Sequence, residues 1–232
     1  MYTVGYFLRE VTADFGNSIV VTGKISSSNP IIAKITSNGT TQWVRIPDMI
    51  TEAVYFNSIK VMDDSICIAG QIHGSSPINF FSQEYLKAPF DGINCLLLKT
   101  NLYGAAEWCR TITYASGNTM FTDVTMLGEE IYVSGVIRGY SSISFGNGVT
   151  AEGITEFNPV LVKYDKYGIA QWAKTVKMSP LGSAQFSDII VEKNEIYVAG
   201  YISSKETYDL GNSIRVEGVA IGKNILVAQY VK

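Results

Sequence analysis

One apolar strand with an internal glycine occurs four times in this chain at a constant spacing. The four copies read MYTVGYF, SICIAGQI, EIYVSGVI and EIYVAGYI, and their glycines are Gly5, Gly70, Gly135 and Gly200, each 65 residues after the one before. A constant period of this length is typical of repeat proteins. The chain is therefore predicted to contain copies of one structural unit, in which the recurring residues are structural.

Three further landmarks recur at nearly the same period. They are a lysine that ends an apolar run, a tryptophan, and a phenylalanine before a short apolar segment: Lys34, Lys99 and Lys163; Trp43, Trp108 and Trp172; Phe56, Phe121 and Phe186. The runs are short, apolar and separated by turn residues, as strands are. Each unit is therefore predicted to have four strands. They are called A (following the phenylalanine), B (with the glycine), C (ending at the lysine) and D (with the tryptophan).

Four-stranded antiparallel meanders that repeat at this interval are typical of β-propeller blades. The predicted fold class is all-β, a single β-propeller over residues 1–232 built from blades of about 65 residues. The blades are predicted at about 1–46, 56–112, 121–175 and 186–232. The first and last are incomplete, because the first has no strand A and the last has no strand D. The predicted strand numbers are therefore three, four, four and three.

The recurring residues suggest how the blades pack. We expect the strand B glycine to let a neighbouring aromatic ring or backbone approach closely. The strand D tryptophan is expected to pack between neighbouring blades. Arg45, Arg110 and Lys174 each lie two residues beyond a tryptophan, so they share its strand face and are predicted to be its stacking partners or inter-blade ion-pair partners.

The long connections are predicted to lie at one end of each meander. They are the B–C segments 73–94, 138–159 and 203–224, and the D–A segments 47–55, 113–120 and 176–185. Loops carry much of the binding function in repeat folds, so a binding surface is expected at this end. A motif of the type Asp-Phe-Gly-Asn recurs near residues 14–17, 144–147 and 209–212 and predicts a structural plug or turn there.

Composition excludes several classes of function. A formal net charge of −3 provides no basic field, so nucleic acid is not an expected partner. The sequence has no apolar stretch long enough to span a membrane, so no membrane insertion is expected, and its N-terminus lacks the pattern of a signal peptide. Cys67, Cys95 and Cys109 lack metal-ligand spacing and are predicted to be buried free thiols. No metal and no cofactor is predicted.

The last two repeats carry a family resemblance. The segment KYDKYGIAQWAKT (163–175), followed by FSDIIVEKNEIYVAGYI (186–202) and DLGN (209–212), resembles the bacterial β-propeller repeat known as the SBBP repeat. The resemblance covers essentially the whole chain and is weakest at 73–94. It implies a propeller fold and an extracellular or cell-envelope setting in bacteria, and it brings no catalytic residues with it.

Residues that break the repeat are the candidates for function. His73 is the only histidine, and with the acidic residues Asp48, Glu52 and Asp91 it lies at the predicted long-loop end. An enzyme site around His73, Asp48 and Asp91 is one alternative, but no motif for a nucleophile, a metal or a nucleotide accompanies them, so no catalytic residue is predicted.

The unrepeated aromatic residues Tyr85, Phe90 and Tyr140, with Arg138, would suit stacking on a sugar or a peptide if exposed. Burial within the loops is the interpretation that we favour. The ligand-binding candidates are His73, Tyr85, Asp91, Arg138 and Tyr140.

The predicted function is a non-enzymatic binding or scaffold module, with a glycan-binding propeller as a second hypothesis and the His73 enzyme as a third. Exposed strand edges invite pairing with another chain. We therefore expect either a homodimer or further repeats of a longer parent protein to complete the ring, with a protein or a glycan as the ligand.

Overall fold

The structure is a computed structural model that describes residues 1–81, 84–179, 181–211 and 213–231. Asn212, the last residue of the third turn motif, lies outside the described residues, as do residues 82–83 of the predicted 73–94 loop and Lys232. All 24 regular elements in the described part are β-strands, which confirms the all-β prediction. No helix that could span a membrane occurs there.

The chain forms two compact units, Met1–Thr111 and Ile112–Lys232. The strands of the first unit are β1 (Tyr2–Leu8), β2 (Thr12–Asp14), β3 (Val20–Thr22), β4 (Ser28–Ile35), β5 (Thr41–Arg45), β6 (Val54–Met62), β7 (Ser65–His73), β8 (Ile78–Phe80), β9 (Glu84–Leu86), β10 (Ile93–Asn101) and β11 (Ala106–Arg110).

The second unit contains the remaining strands. They are β12 (Tyr114–Ala115), β13 (Thr119–Leu127), β14 (Glu130–Arg138), β15 (Ser142–Gly146), β16 (Val149–Glu152), β17 (Phe157–Tyr164), β18 (Ala170–Thr175), β19 (Lys177–Met178), β20 (Ser183–Glu192), β21 (Glu195–Ser203), β22 (Thr207–Gly211), β23 (Ile214–Glu217) and β24 (Lys223–Val231).

Four antiparallel sheets carry the predicted strands A to D. The first sheet has the order β1-β4-β5, the second β6-β7-β10-β11, the third β13-β14-β17-β18 and the fourth β20-β21-β24. Their strand numbers are three, four, four and three, as the repeat predicted. Among the described residues, the first sheet has no strand A and the fourth sheet has no strand D.

Each unit has its own apolar core between two sheets. In the first unit, Ile32 of the first sheet packs with Phe56 and Ile68 of the second. In the second unit, Leu161 of the third sheet packs with Phe186 and Val198 of the fourth. Alternate residues of each strand point into these cores because side chains alternate across a pleated strand, and burial of these apolar faces holds the sheets together.

The strand B glycines allow the close backbone approach that was predicted. Strand A has a bulge opposite Gly70, Gly135 and Gly200, and in the third sheet the register shifts between Phe121 and Asp123. A Cβ on Gly135 would lie 2.3 Å from the carbonyl oxygen of Met120. In the first sheet no strand A is present, and a Cβ on Gly5 would meet no atom within 4 Å.

The predicted long B–C loops are wrong in one respect, because each contains a β-hairpin. The hairpins are β2–β3, β8–β9, β15–β16 and β22–β23. In the second unit a short strand of the D–A segment extends the hairpin, since β12 pairs with β15 and β19 with β22. Asn17 and Asn147 of the recurring motif have left-handed backbone in the hairpin turns, which confirms the turn prediction.

Candidate functional site

His73 ends strand β7 and is half-buried. Its Nε2 lies 3.2 Å from Nε2 of Gln71, and its ring lies 5.2 Å from the ring of Tyr55, centroid to centroid. The backbone N–H of His73 donates to the carbonyl of Ala53, so the residue is held at one end of the second sheet.

The acidic candidates lie near this end of the sheet but have separate surroundings. The Glu52 carboxylate lies over Gly74 and accepts a hydrogen bond from the Ser76 hydroxyl at 2.7 Å. Asp91 is exposed and adjoins Gly92, whose carbonyl accepts the Gly74 N–H. The backbone N–H of Asp48 donates to Asn79 of β8. The fold therefore brings the His73, Glu52 and Asp91 segments together and ties Asp48 to the hairpin.

The two predicted tyrosines are exposed, so the expectation that the loops bury them is wrong. Tyr85 lies on β9 and is 69% exposed, and Tyr140 follows β14 and is 74% exposed. Each lies on or beside a hairpin whose apolar residues face the core, which leaves the tyrosine ring to solvent. Arg138 is also exposed, and its guanidinium lies 5.2 Å from the Phe157 ring centroid. His73, Tyr85 and Asp91 belong to the first unit, and Arg138 and Tyr140 to the second.

The three cysteines are buried thiols, as predicted. Burial raises the pKa of the Cys67 thiol to about 12, outweighing the opposing effect of Lys99. A thiol with this pKa is not a nucleophile at neutral pH, because the thiolate is the reactive form. No cluster of three or more His, Cys, Asp or Glu side chains in the described ranges could hold a metal ion.

Each tryptophan belongs to a row of side chains that crosses its sheet. In the third sheet Tyr132, Lys163 and Trp172 are directly opposite one another on strands B, C and D. The rings of Tyr132 and Trp172 lie 6.1 Å apart, and Lys163 Nζ lies 2.5 Å from the carboxylate of Glu130. The row therefore joins three strands on one face through aromatic, cation–π and ionic contacts.

The cation two residues beyond each tryptophan stacks on that tryptophan, which is one of the two predicted roles. Arg45 lies over Trp43 at 5.6 Å, Arg110 over Trp108 at 5.2 Å, and Lys174 over Trp172 at 5.1 Å. Side chains two apart on a strand share a face, so this pairing is local to strand D.

The outer face of the fourth sheet, the face turned away from the third sheet, is apolar and exposed. Its members can be compared with their equivalents one repeat earlier. Leu161 of the third sheet is 1% exposed, whereas its equivalent Val227 is 71% exposed. Thr125 is 3% exposed, whereas its equivalent Ile190 is 59% exposed. The third sheet is covered there by the fourth, and the fourth keeps apolar residues at the same positions without a cover.

Two hydrogen-bonding residues of this face also repeat. In the third sheet the Thr122 hydroxyl donates to the Phe186 carbonyl at 2.9 Å, and the Ile189 N–H donates to Asp123 Oδ2 at 2.8 Å. These bonds attach strand A of the fourth sheet to the third. Their equivalents one repeat later, Ser187 and Asp188, are exposed. The fourth sheet thus exposes a hydroxyl and a carboxylate at the two positions through which the third sheet binds its neighbour.

The exposure of this outer face could not be predicted from the sequence, because equivalent positions such as Leu161 are buried one repeat earlier. A scan against protein-family models and a search of curated proteins found no match to this chain. The resemblance to the SBBP repeat therefore stays a prediction.

Proposed function

We propose that this chain is a non-enzymatic β-propeller repeat module that acts as a scaffold, docking further sheets of the same kind onto its first and fourth sheets. The resemblance of residues 163–202 to the SBBP repeat supports the propeller architecture and the extracellular or cell-envelope setting in bacteria. The antiparallel order A-B-C-D of the second and third sheets is compatible with propeller blades.

The observation that carries the proposal is the exposed outer face of the fourth sheet. Ile190 and Val227 occupy positions that the third sheet buries against a neighbour, and Asp188 lies beside them. Contiguous exposed apolar surface with polar side chains around it is typical of protein interaction sites. The equivalent face of the third sheet already binds a sheet within the second unit. The same apolar and hydrogen-bonding contacts would therefore let the fourth sheet bind another sheet.

The partner in this proposal is a second copy of the chain or another protein with the same repeat. The first sheet is open beside Gly5, where a Cβ would meet no atom within 4 Å. At the equivalent glycines of the other sheets, a carbonyl oxygen of strand A lies at this place. Glycine inside a strand is unfavourable unless a close approach requires it. The presence of a glycine at position 5, as in the other three repeats, is therefore consistent with a strand that pairs with β1.

Light scattering across a range of protein concentrations tests the proposal. We expect the molar mass to rise with concentration in the native chain, and the Ile190→Asp and Val227→Asp variants to remain monomeric because a buried carboxylate would need to lose its water. Tyr103→Asp, which adds the same charge at an exposed turn residue, is the matched control and should associate like the native chain. A native chain that is monomeric at every concentration would contradict the proposal.

A further inference from the structure

The free edge of β24 lies beside a groove where the other sheets have strand D. In the third sheet, β18 pairs with β17 and packs against β16 of the adjacent hairpin. In the fourth sheet the equivalent elements are β24 and β23, and between them is a groove of about 390 Å³. The groove is lined by residues 227–231 of the edge strand and by Leu210, Ile214 and Val216 of the hairpin.

The cross-sheet row of the fourth sheet also ends at this groove. Tyr197 and Gln229 are opposite one another on strands B and C, as Tyr132 and Lys163 are in the third sheet. The third member of the row in the other sheets is a tryptophan on strand D. The fourth sheet therefore has the first two members of the row, a tyrosine and a glutamine, and a tryptophan on a strand D would complete it.

The three D strands of the chain define what fits such a groove. They read Thr41-Gln-Trp-Val-Arg45, Ala106-Glu-Trp-Cys-Arg110 and Ala170-Gln-Trp-Ala-Lys174. Each has a small first residue that is buried, a central tryptophan, and a final cation that stacks on this tryptophan. The cation stacks on the tryptophan of its own strand, so the groove does not need an acidic residue to pair with it.

We propose that the β24 groove binds an extended polypeptide segment with the pattern small–polar–Trp–small–Lys or Arg, which pairs with β24 as a fourth strand. The inference rests on the proposed repeat fold and concerns the edge of β24, where Val227 borders both the groove and the outer face. Addition of a strand to an exposed edge gives affinity through backbone hydrogen bonds and specificity through side-chain pockets. The three D strands of a second copy are already paired in their own sheets, so that copy has no free strand of this pattern among its described residues.

The first test uses a labelled peptide with the sequence of residues 168–175, GIAQWAKT, and measures its fluorescence anisotropy with the full chain. We expect saturable binding, and at least about tenfold weaker binding of the Trp→Ser peptide, because a buried tryptophan is often a dominant contact in an interface. A peptide that does not bind, or that binds equally well without its tryptophan, would overturn the proposal.

The second test locates the binding and does not depend on a substitution that could unfold the sheet. Lys232 is equivalent to Lys166 in the repeat, so residues 167–175, YGIAQWAKT, are appended after Lys232. The appended strand should raise the melting temperature and abolish binding of the free peptide, while an extension with Trp→Ser should do neither. Undiminished peptide binding to the extended chain would place the site elsewhere and overturn the inference.

The two proposals fail in different ways. If Ile190→Asp abolishes self-association but the peptide never binds, only the groove inference is lost. If the peptide binds to a chain that stays monomeric at every concentration, only the scaffold proposal is lost. Release of monomers by the peptide from a native oligomer that Ile190→Asp leaves intact would show that a second copy occupies the β24 edge, and would overturn the choice of occupant.

Discussion

At the scale of single residues, the least expected finding is an asparagine at the start of strand C in every repeat. Asn158 is buried; its Oδ1 accepts the N–H groups of Ile154 and Thr155, and its Nδ2 donates to the carbonyls of Ile137 and Gly139, among others. Asn29 and Asn224 bond in the same manner. The side chain ties the end of strand B to the connection that leads into strand C.

Asn94 is the exception in this set. Its Nδ2 donates to three carbonyls, but its buried Oδ1 has no hydrogen-bond partner. Lys24 and Val219 stand five residues before Asn29 and Asn224 and donate their N–H groups. Pro89 stands at this position before Asn94, and proline has no N–H.

The pair Asn158 and Asn94 gives a matched prediction. Asn158→Ala should lower the free energy of unfolding by about 3 kcal/mol, because it leaves buried backbone donors and acceptors without partners. Asn94→Ala should cost about 1 kcal/mol less, since it strands no donor and removes an unsatisfied oxygen. Urea unfolding followed by fluorescence measures both values. Equal losses would mean that the Oδ1 bonds of Asn158 contribute nothing.

Buried tyrosines make the stability of the fold sensitive to alkaline pH. Burial raises the pKa of Tyr230 from its ordinary value of 10.0 to about 12. The pKa of Tyr132 is also raised, by burial first and then by its hydrogen bond to Glu130. The unfolded chain therefore releases these protons at a lower pH than the folded chain, and stability falls as the pH rises through this window.

We expect Tyr230 to account for a loss of about 1 kcal/mol in the free energy of unfolding between about pH 9 and about pH 11. The stabilisation is complete below pH 10 and is lost as the pH approaches 12. Urea unfolding at the two pH values measures the loss, and Tyr230→Phe should reduce it because this ring cannot ionise. The prediction is wrong if the variant and the native chain lose the same amount.

At the scale of elements, the strand B glycine and the strand A bulge form one device. The carbonyl before the bulge turns towards strand B, and only a residue without a Cβ fits opposite it. A Cβ would lie 2.1 Å from the Tyr55 oxygen at Gly70 and 2.0 Å from the Gln185 oxygen at Gly200. Real Cβ atoms do not approach oxygen this closely, so a substitution must displace the backbone of strand A.

The first sheet supplies the control for this device. Gly135→Ala should destabilise the fold by about 2 kcal/mol or more, because it forces strand A away from strand B. In a dilute, monomeric sample, Gly5→Ala should change stability by no more than about 0.5 kcal/mol, because a Cβ at this position meets no atom within 4 Å in the single chain. Thermal unfolding of the two variants makes the comparison. A loss at Gly5 as large as at Gly135 would show that something approaches β1 in solution, and would identify it as a strand-pairing edge.

The sequence predicted elements better than it predicted their connections. The four strand B glycines, together with the recurring lysine, tryptophan and phenylalanine, were enough to predict four sheets and the number of strands in each. The hairpins in the B–C segments were not predicted because their strands are only three to five residues long. Even the regular alternation of β15 and β22 spans too few residues to stand out from a loop. The role of the strand C asparagine could not be predicted, because only the folded backbone places its side-chain amide against the carbonyls at the end of strand B.

At the scale of the whole molecule, repetition separates scaffold from surface. Leu161 and Val227 are the same kind of residue at the same place in the repeat, yet one is covered and the other exposed. Sequence patterns report which face of a strand is apolar, whereas exposure depends on whether a neighbouring sheet is present. The sequence could therefore predict that the fourth sheet has three strands, but the exposure of its outer face could be seen only in the structure.

The chemistry of the outer face also predicts how association responds to conditions. Ile190, Ala199 and Val227 contribute no charge, so the driving force is burial of apolar surface, which gives a negative heat-capacity change on association. Screening acts mainly on exposed charges, so raising NaCl from about 50 mM to about 500 mM should change the dissociation constant by less than about threefold. Dilution calorimetry at several temperatures and light scattering at both salt concentrations measure the two quantities.

The outcome distinguishes two kinds of interface. A dissociation constant that rises more than about tenfold with salt, together with a heat-capacity change near zero, would indicate charge pairing away from the fourth sheet. Asp188→Asn separates the hydrogen bond from the charge at the outer face, because asparagine keeps an oxygen that can accept an N–H. If the face binds its partner as Asp123 binds the Ile189 N–H, this variant should weaken association modestly and leave the salt response unchanged.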